Sequence, residues 1–252
     1  MKKIVFLVLS AVIILSFSMC RKHNIVTVDQ EAANSNINLV FSNMVDGVPI
    51  TLGSMINTNA AGNKYRVDVL KYYISNIKLV KADATEISFD NYELINEAEA
   101  ATKIVVLKNV PHTSFVKIRF YLGIDLSRNH TGLQDGDLDP AHDMIWDWNT
   151  GYIFFKHEGK FINTQGTTKI LVQHLATDFA LPAIEVPLNN VTISSGSKII
   201  ELNFNLNSAY TSPTNIDFNI NGMRTSIGAL EMQWMSEVKN NMYDAFTFAK
   251  FE

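Results

Sequence analysis

The amino-acid sequence predicts an all-β protein, an antiparallel β-sandwich with long loops and a short helix near the C-terminus. The first observation is a period of two: apolar and polar side chains alternate in residues 115–122 and 200–207. Such alternation buries one face of a strand and exposes the other. The second is that glycines beside Asn, Asp, Ser or Thr separate these runs, with no regular alternation of strands and helices. Together they favour a sandwich over an α/β fold.

The predicted elements follow from the same patterns. Strands are expected at residues 37–42, 65–74, 77–81, 104–107, 115–122, 152–156, 168–174, 184–193 and 200–207. A helix is expected at 236–246 because Val238, Met242 and Phe246 recur at intervals of four on one face. No repeat, Pro-rich linker or shift in composition divides this body, so residues 36–252 are predicted to form one domain.

The N-terminus is predicted to be a lipoprotein signal peptide covering residues 1–19. Lys2 and Lys3 precede a short apolar run, which is typical of a secretory signal and too short to span a bilayer comfortably. Cys20, the only cysteine of the chain, follows this run in a context that resembles a bacterial lipobox. Cleavage before Cys20 and lipidation of its thiol are therefore expected, with residues 20–35 as a mostly polar tether. A plain signal peptide with an incidental cysteine is the alternative.

Composition and charge limit the classes of function. Of the 252 residues, 47% are hydrophobic and 18% charged, which is typical of a globular chain and excludes a disordered one. The formal net charge is −4, and no basic stripe suited to neutralising phosphates is present. Nucleic acid is therefore not an expected partner.

Residues 121–161 differ from the rest, because they combine acidic side chains, histidines and two of the three tryptophans. Alternating aspartates suggest a calcium loop, but an EF-hand that began at Asp135 would have Pro140 at its sixth position and Trp146 at its twelfth. The glycine and the bidentate glutamate that such a loop needs are absent, so an EF-hand is rejected and only a looser calcium site stays open.

Carboxylates near tryptophans are also typical of glycan-cleaving sites, where two carboxyl groups face each other across the scissile bond. The acidic residues considered for this role are Asp135, Asp137, Asp139, Asp143 and Glu158. Turn formation is the competing interpretation. We expect Asp125, Asp137 and Asp139 to order the loop by accepting backbone N–H bonds, and Gly136 to adopt a positive φ.

A third chemistry is a transition-metal site, since imidazole suits copper, zinc or iron. Trp146 and Trp148, two residues apart, would lie on one face of an extended strand, and filling a core is the competing interpretation. Histidines are more often surface or hydrogen-bonded residues than ligands. Spacing alone leaves these alternatives open.

The amino-acid sequence of this segment resembles that of the MbnP-like copper-binding domain family. The resemblance rests on Gly-Ile-Asp at 123–125, Gly-Asp-Leu-Asp-Pro at 136–140, Met-Ile-Trp-Asp-Trp-Asn at 144–149, Gly-Tyr-Ile-Phe at 151–154 and Lys-His-Glu-Gly at 156–159. Tyr-Ile-Ser-Asn-Ile at 73–77, His-Leu at 174–175 and residues 240–246 fit the same pattern in the same order, so it covers roughly residues 36–250. The lipobox and the Asn-rich composition resemble the Bacteroidetes-type lipoprotein members.

This resemblance implies a β-rich, secreted or membrane-tethered protein that handles copper, and we expect a binding protein and not an enzyme. The family's Cu(I) site uses imidazoles and a tryptophan oxidised to kynurenine. Trp146 matches that tryptophan, and His174 matches the downstream histidine ligand. Trp148 stands where some members have a second histidine, so His142 and His157 are the candidates to replace it.

Three functions are thus predicted in order of preference. The first is a lipid-anchored outer-membrane protein, on the periplasmic or cell-surface face, that binds copper for acquisition or handling. Its partners would be the membrane, through the lipid on Cys20, and a copper ion or copper carrier. The second is a structural or interaction lipoprotein that keeps the scaffold without metal. The third is carboxylate-based glycan hydrolysis.

Overall fold

Strands dominate the architecture, as predicted. The computed structural model of the chain describes residues 33–146, 151–228 and 231–252, so Cys20 and Trp148 lie outside the described residues. The strands are β1 (Asn34–Val45), β2 (Val48–Pro49), β3 (Asn57–Thr58), β4 (Lys64–Val80), β5 (Glu86–Ser88), β6 (Tyr92–Asn96), β7 (Ile104–Pro111), β8 (Ser114–Leu122), β9 (Ile153–Ile162), β10 (Thr168–Ala176), β11 (Ala183–Thr192), β12 (Ile199–Asn205), β13 (Met223–Arg224) and β14 (Phe246–Phe251). The α-helices are α1 (Leu126–Asn129), α2 (Phe218–Asn221) and α3 (Met232–Met242). No helix within the three described ranges is both long and apolar enough to cross a membrane.

Two sheets face each other across the main core. In the described residues, the smaller sheet has the order β14-β12-β1-β2, with β7 also paired to β1. The larger has the order β11-β8-β4-β9-β10-β13, with β3, β5 and β6 also paired to β4. Aromatic rings from both sheets meet between them: the ring centroids of Tyr72 and Phe204 are 5.0 Å apart, and those of Phe41 and Phe120 are 6.1 Å apart. The predicted all-β sandwich is confirmed.

The direction of two strand pairs differs from the prediction of a fully antiparallel sandwich. Strand β1 runs parallel to β12, with Phe41 opposite Leu202, and β10 runs parallel to β13. All other pairs are antiparallel within the described part of the chain. An alternating pattern shows which face of a strand is buried and carries no information on the direction of its neighbour, so the sheets are mixed.

The bounds of the predicted C-terminal helix also need correction. The helix begins at Met232, before the predicted 236, because Trp234 joins Val238 and Met242 on its buried face. It ends at Met242, and Phe246 begins strand β14 instead.

The first strand begins within the predicted tether of residues 20–35. Asn34 and Ser35 are polar, yet they pair with Pro111 and Val110 of β7. The Ser35 hydroxyl also forms a 2.8 Å hydrogen bond with Nε2 of His112. Backbone pairing thus extends β1 beyond its apolar residues, and the described residues belong to one compact unit, Ala32–Glu252.

The middle of the larger sheet, at β4 and β9, is buried on both faces. Tyr72 and Phe155 belong to the main core, whereas their neighbours Tyr73 and Phe154 belong to a second apolar cluster on the opposite side. Side chains of residues 123–146 and 151–152, here called the covering segment, complete that cluster. This arrangement explains the unbroken apolar run at 153–155, since a strand buried on both sides does not alternate. The candidate site lies on the covered face.

Candidate metal site

The covering segment starts at a side-chain network around Asp125. Its Oδ1 accepts a 2.9 Å hydrogen bond from the backbone N of Ser127 and caps α1, as expected of an Asx-turn. Its Oδ2 accepts hydrogen bonds from the Tyr92 hydroxyl, at 2.6 Å, and from Nδ2 of Asn76. Asp125 therefore ties the start of the segment to β6 and to β4.

The acidic run further along also serves to fold the segment. Oδ1 of Asp139 accepts a 2.8 Å hydrogen bond from the backbone N of Ala141. Oδ2 of Asp137 accepts a 2.7 Å hydrogen bond from the backbone N of Leu94, a residue of β6 outside the segment. Gly136 has a φ of +67°, a positive value that glycine adopts without strain. Asp137 thus makes a long-range contact, where a local turn was expected.

Two lysines of the larger sheet hold the backbone just before Trp146. Nζ of Lys71 donates to the carbonyl oxygen of His142 at 2.8 Å. Nζ of Lys156 donates to the carbonyl oxygen of Asp143 at 3.1 Å and to its carboxylate at 2.5 Å. The Lys156 side chain is only 6% exposed, so these hydrogen bonds replace the water that its ammonium group would otherwise contact. The backbone at 142–143 is therefore fixed to strands β4 and β9.

Trp146 is placed on the sheet by a short antiparallel pairing. Ile145 forms a β-bridge with Tyr152, and the backbone N of Ile153 donates to the Met144 carbonyl at 2.8 Å. The indole of Trp146 packs against the second apolar cluster and lies beside His174, with 6.4 Å between the ring centroids. The two residues singled out by the family pattern are thus neighbours in space.

His174 is held on β10 opposite Lys156 of β9. Its Nε2 lies 2.8 Å from Oε1 of Glu158, and its carbonyl accepts a 2.7 Å hydrogen bond from the Ser226 hydroxyl. Its Nδ1 is buried and has no hydrogen-bond partner among the described residues. An unpaired buried nitrogen beside an indole is the atom at this site best suited to bind a ligand.

Electrostatics favour a charged Glu158. The hydrogen bond from His174 lowers the pKa of Glu158 below its ordinary value; Lys156, 3.5 Å away, acts in the same direction, while burial opposes both. An ionised carboxylate only accepts hydrogen bonds, so Nε2 of His174 is the donor in this pair. A neutral ring then has its lone pair on Nδ1, and an imidazole lone pair is a suitable ligand for copper.

The other candidate ligands do not join His174. His157 lies opposite Gln173, whereas His174 lies opposite Lys156, so the two imidazoles are on opposite faces of the sheet. The His157 ring is fully buried in the main core, where its Nδ1 is 2.6 Å from the Tyr210 hydroxyl. Nε2 of His142 forms a hydrogen bond within its own turn, 3.2 Å from the carbonyl oxygen of Gly136.

Across the described ranges, no group of three or more His, Cys, Asp or Glu side chains is arranged to hold a metal. Among the described residues, the imidazole of His174 and the indole of Trp146 are the two donors that the structure shows side by side here. The unpaired Nδ1 fits a copper ion, and a second imidazole is not supplied by His142 or His157.

The role of Glu158 beside His174 was missed from the sequence, where this residue counted only as a possible acid. A signal was present in the β9–β10 hairpin. Its turn closes with a backbone hydrogen bond from Asn163 N to Thr167 O, after which Ile162 pairs with Thr168. If the strand register is counted outward from that turn, residue 174 lies directly opposite residue 156. Residue 158, two positions further along β9, is then its diagonal neighbour on the same face of the sheet.

The comparison with family models decides the identity of the fold. The MbnP family model matches residues 34–229, which is most of the chain. This chain belongs to the MbnP family. The resemblance drawn from the sequence motifs is thereby confirmed at the family level.

A solved structure with the same fold is MbnP from Methylosinus trichosporium, with a TM-score of 0.51. The match covers 79% of this chain and 84% of that one at 13% sequence identity, so it shows the shared fold alone. The comparison with curated proteins finds no match. The site of this MbnP-family chain therefore has to be argued from its own residues.

Proposed function

We propose that this MbnP-family protein is a lipid-anchored copper-binding protein that acquires or handles copper outside the cytoplasm, and that it is not an enzyme. Membership of a copper-associated family supports a copper-related function at the level of the family. The observation that carries the proposal for this chain is Nδ1 of His174, buried and unpaired beside Trp146.

The donor set of the site suits Cu(I). Imidazole is a good copper ligand, and Cu(I) accepts low coordination numbers. The electron-rich face of an indole attracts cations, so Trp146 adds a weak second interaction. Oxidation of Trp146 by dioxygen and water to kynurenine and formate would add an amine and a ketone to the site. The intact mass of protein expressed with copper would show whether this oxidation has occurred.

The acidic residues support binding over hydrolysis. Asp137 and Asp139 accept backbone hydrogen bonds, Asp143 pairs with Lys156, and Glu158 pairs with His174. These contacts give each carboxylate a folding or positioning role.

Titration with Cu(I) against a competing chelator tests the copper proposal. We expect His174→Ala to weaken binding by more than the roughly 10–100-fold that loss of an outer-shell partner costs. Trp146→Phe should weaken it less, because a smaller aromatic face remains. His130→Ala is the matched control, since this exposed histidine pairs with Asp178 and should bind copper like the wild type.

Equal binding by all four proteins would overturn the assignment to His174. If none of them holds copper against even a weak chelator, the copper proposal fails. The chain would then be a structural or interaction member of the family that keeps the scaffold alone.

The anchor is tested separately from the metal. We expect the wild-type protein to partition with the outer membrane and to begin, once processed, at an acylated Cys20. Cys20→Ser should move it to the soluble fraction, because stable anchoring requires more than one lipid chain and this variant has none. A wild-type protein that is soluble and begins at another residue would contradict the lipoprotein assignment.

A further inference from the structure

We propose that Glu158 is a positioning residue that holds the proton of His174 on Nε2 and so leaves the Nδ1 lone pair free for a ligand. The inference deepens the proposed function, on which it depends for the identity of that ligand. It concerns the copper-free protein, so it can be tested without metal.

The hydrogen-bond geometry fixes where the ring proton lies. Nε2 of His174 is 2.8 Å from Oε1 of Glu158, an oxygen that can only accept when the carboxyl group is ionised. Moving the proton to Nδ1 would break this bond and leave a buried N–H without a partner among the described residues. Both changes cost free energy, so the neutral ring has one favoured tautomer.

The β9–β10 hairpin holds the two groups in this arrangement. Strand alternation places Lys156 and Glu158 on the same face of β9, and His174 lies opposite Lys156 on that face. On the far side of β10, the Ser226 hydroxyl accepts from the backbone N of Ala176 and donates to the His174 carbonyl. The imidazole is thus fixed by its backbone and by one ring nitrogen.

Lys156 orients the carboxylate in turn. Its Nζ lies 3.5 Å from the same Oε1 of Glu158 that accepts from His174. Asp143 also holds this ammonium group in place. The fixed positive charge attracts Oε1 of Glu158, and so it helps to keep the carboxylate beside the imidazole of His174. Outer-shell carboxylates of this kind set the orientation and basicity of histidine ligands.

The test is nitrogen NMR of ¹⁵N-labelled, copper-free protein at neutral pH, with the His174 signals assigned from the His174→Ala spectrum. We expect a protonated Nε2 and an unprotonated Nδ1 in the wild type. Glu158→Ala should remove this preference and shift both ring nitrogens toward a mixture of tautomers. Glu158→Gln should retain it, because Lys156 turns the amide oxygen toward His174.

Glu185→Ala is the matched control, since Glu185 pairs with Lys117 and Arg119 far along the sheet and should leave His174 unchanged. A purely structural role for Glu158 would alter thermal stability without altering the tautomer. A wild-type His174 protonated on Nδ1 would overturn the proposal even if Glu158→Ala failed to fold. An unchanged tautomer in Glu158→Ala would do the same.

Copper affinity supplies the second readout. Glu158→Ala should weaken Cu(I) binding by about 10–100-fold, and Glu158→Gln by less. If the tautomer follows Glu158 but the wild type holds no copper, the copper proposal fails and the positioning role stands. If the wild type, Glu158→Ala and Glu158→Gln all bind copper at His174 with equal affinity, Glu158 does not position His174 for the metal. The proposed function then stands.

Discussion

Gly159→Ala is expected to destabilise the protein severely. A Cβ atom at this position would lie 2.0 Å from the carbonyl oxygen of Arg66 and 3.0 Å from its carbonyl carbon. These are backbone atoms of β4 at an irregularity in the ladder with β9, between Val67 and Val69, and no side chain can rotate to make room. The two central strands would have to separate. We expect a loss at or above the upper end of the roughly 1–3 kcal/mol typical of overpacked cores.

Chemical denaturation of the purified variant measures this loss. Gly196→Ala is the matched control, because a Cβ there meets nothing within 4 Å. Its free energy of unfolding should stay within about 0.5 kcal/mol of the wild type. Equal stability of the two variants would show that β4 and β9 do not approach each other as closely as described. The glycine that ends the Lys-His-Glu-Gly run is thus required by backbone packing, directly after the residue that positions His174.

The second large effect is a loss of stability in mild acid caused by His157. Burial lowers the pKa of this imidazole to about 3 in the folded protein, whereas the unfolded chain has an ordinary value near 6.5. Between these values the unfolded chain binds a proton that the folded protein does not. The contribution of His157 to the free energy of unfolding should therefore level off above pH 6.5 and fall below it, by up to roughly 1.4 kcal/mol per pH unit.

Urea denaturation at several pH values from 7.5 to 5 isolates this contribution, because most carboxylates titrate below that range. His157→Gln keeps a group that can bond with the Tyr210 hydroxyl and removes the titration. We expect the slope of stability against pH to be smaller in this variant than in the wild type. Parallel curves for the two proteins would mean that His157 is not a neutral, buried imidazole.

Local sequence patterns predicted eight of the strands of the described residues, including β8 and β12, but not the short strands β2, β3, β5, β6 and β13 or the last strand β14. Residues 115–122 form β8 nearly as expected, and Val238 and Met242 lie on the buried face of α3. Strand direction was not predictable, because the alternation in β12 is the same whether β1 runs parallel or antiparallel to it. Phe246 was misassigned since spacing by four continues past the last helical turn, where pairing with Phe204 of β12 takes over.

The candidate site was only partly predictable for a related reason. Trp146 and His174 were paired by family resemblance, and they are indeed adjacent, although 28 positions separate them in the chain. Composition brought His157 into the same set, because a count of histidines ignores on which face of a strand each one lies. Glu158 was overlooked as the partner of His174, since that contact depends on strand register.

The parallel pairing of β1 with β12 has a consequence for folding kinetics. Strand β1, at residues 34–45, is a central member of the smaller sheet, between β7 and a strand made of residues 199–205. As the chain emerges N-terminus first, this early strand has to wait for more than 150 further residues before its second neighbour exists. Contacts of such long range slow folding, because a large loop must close before they form. A nascent chain therefore cannot close the sandwich until its last strands have been synthesised.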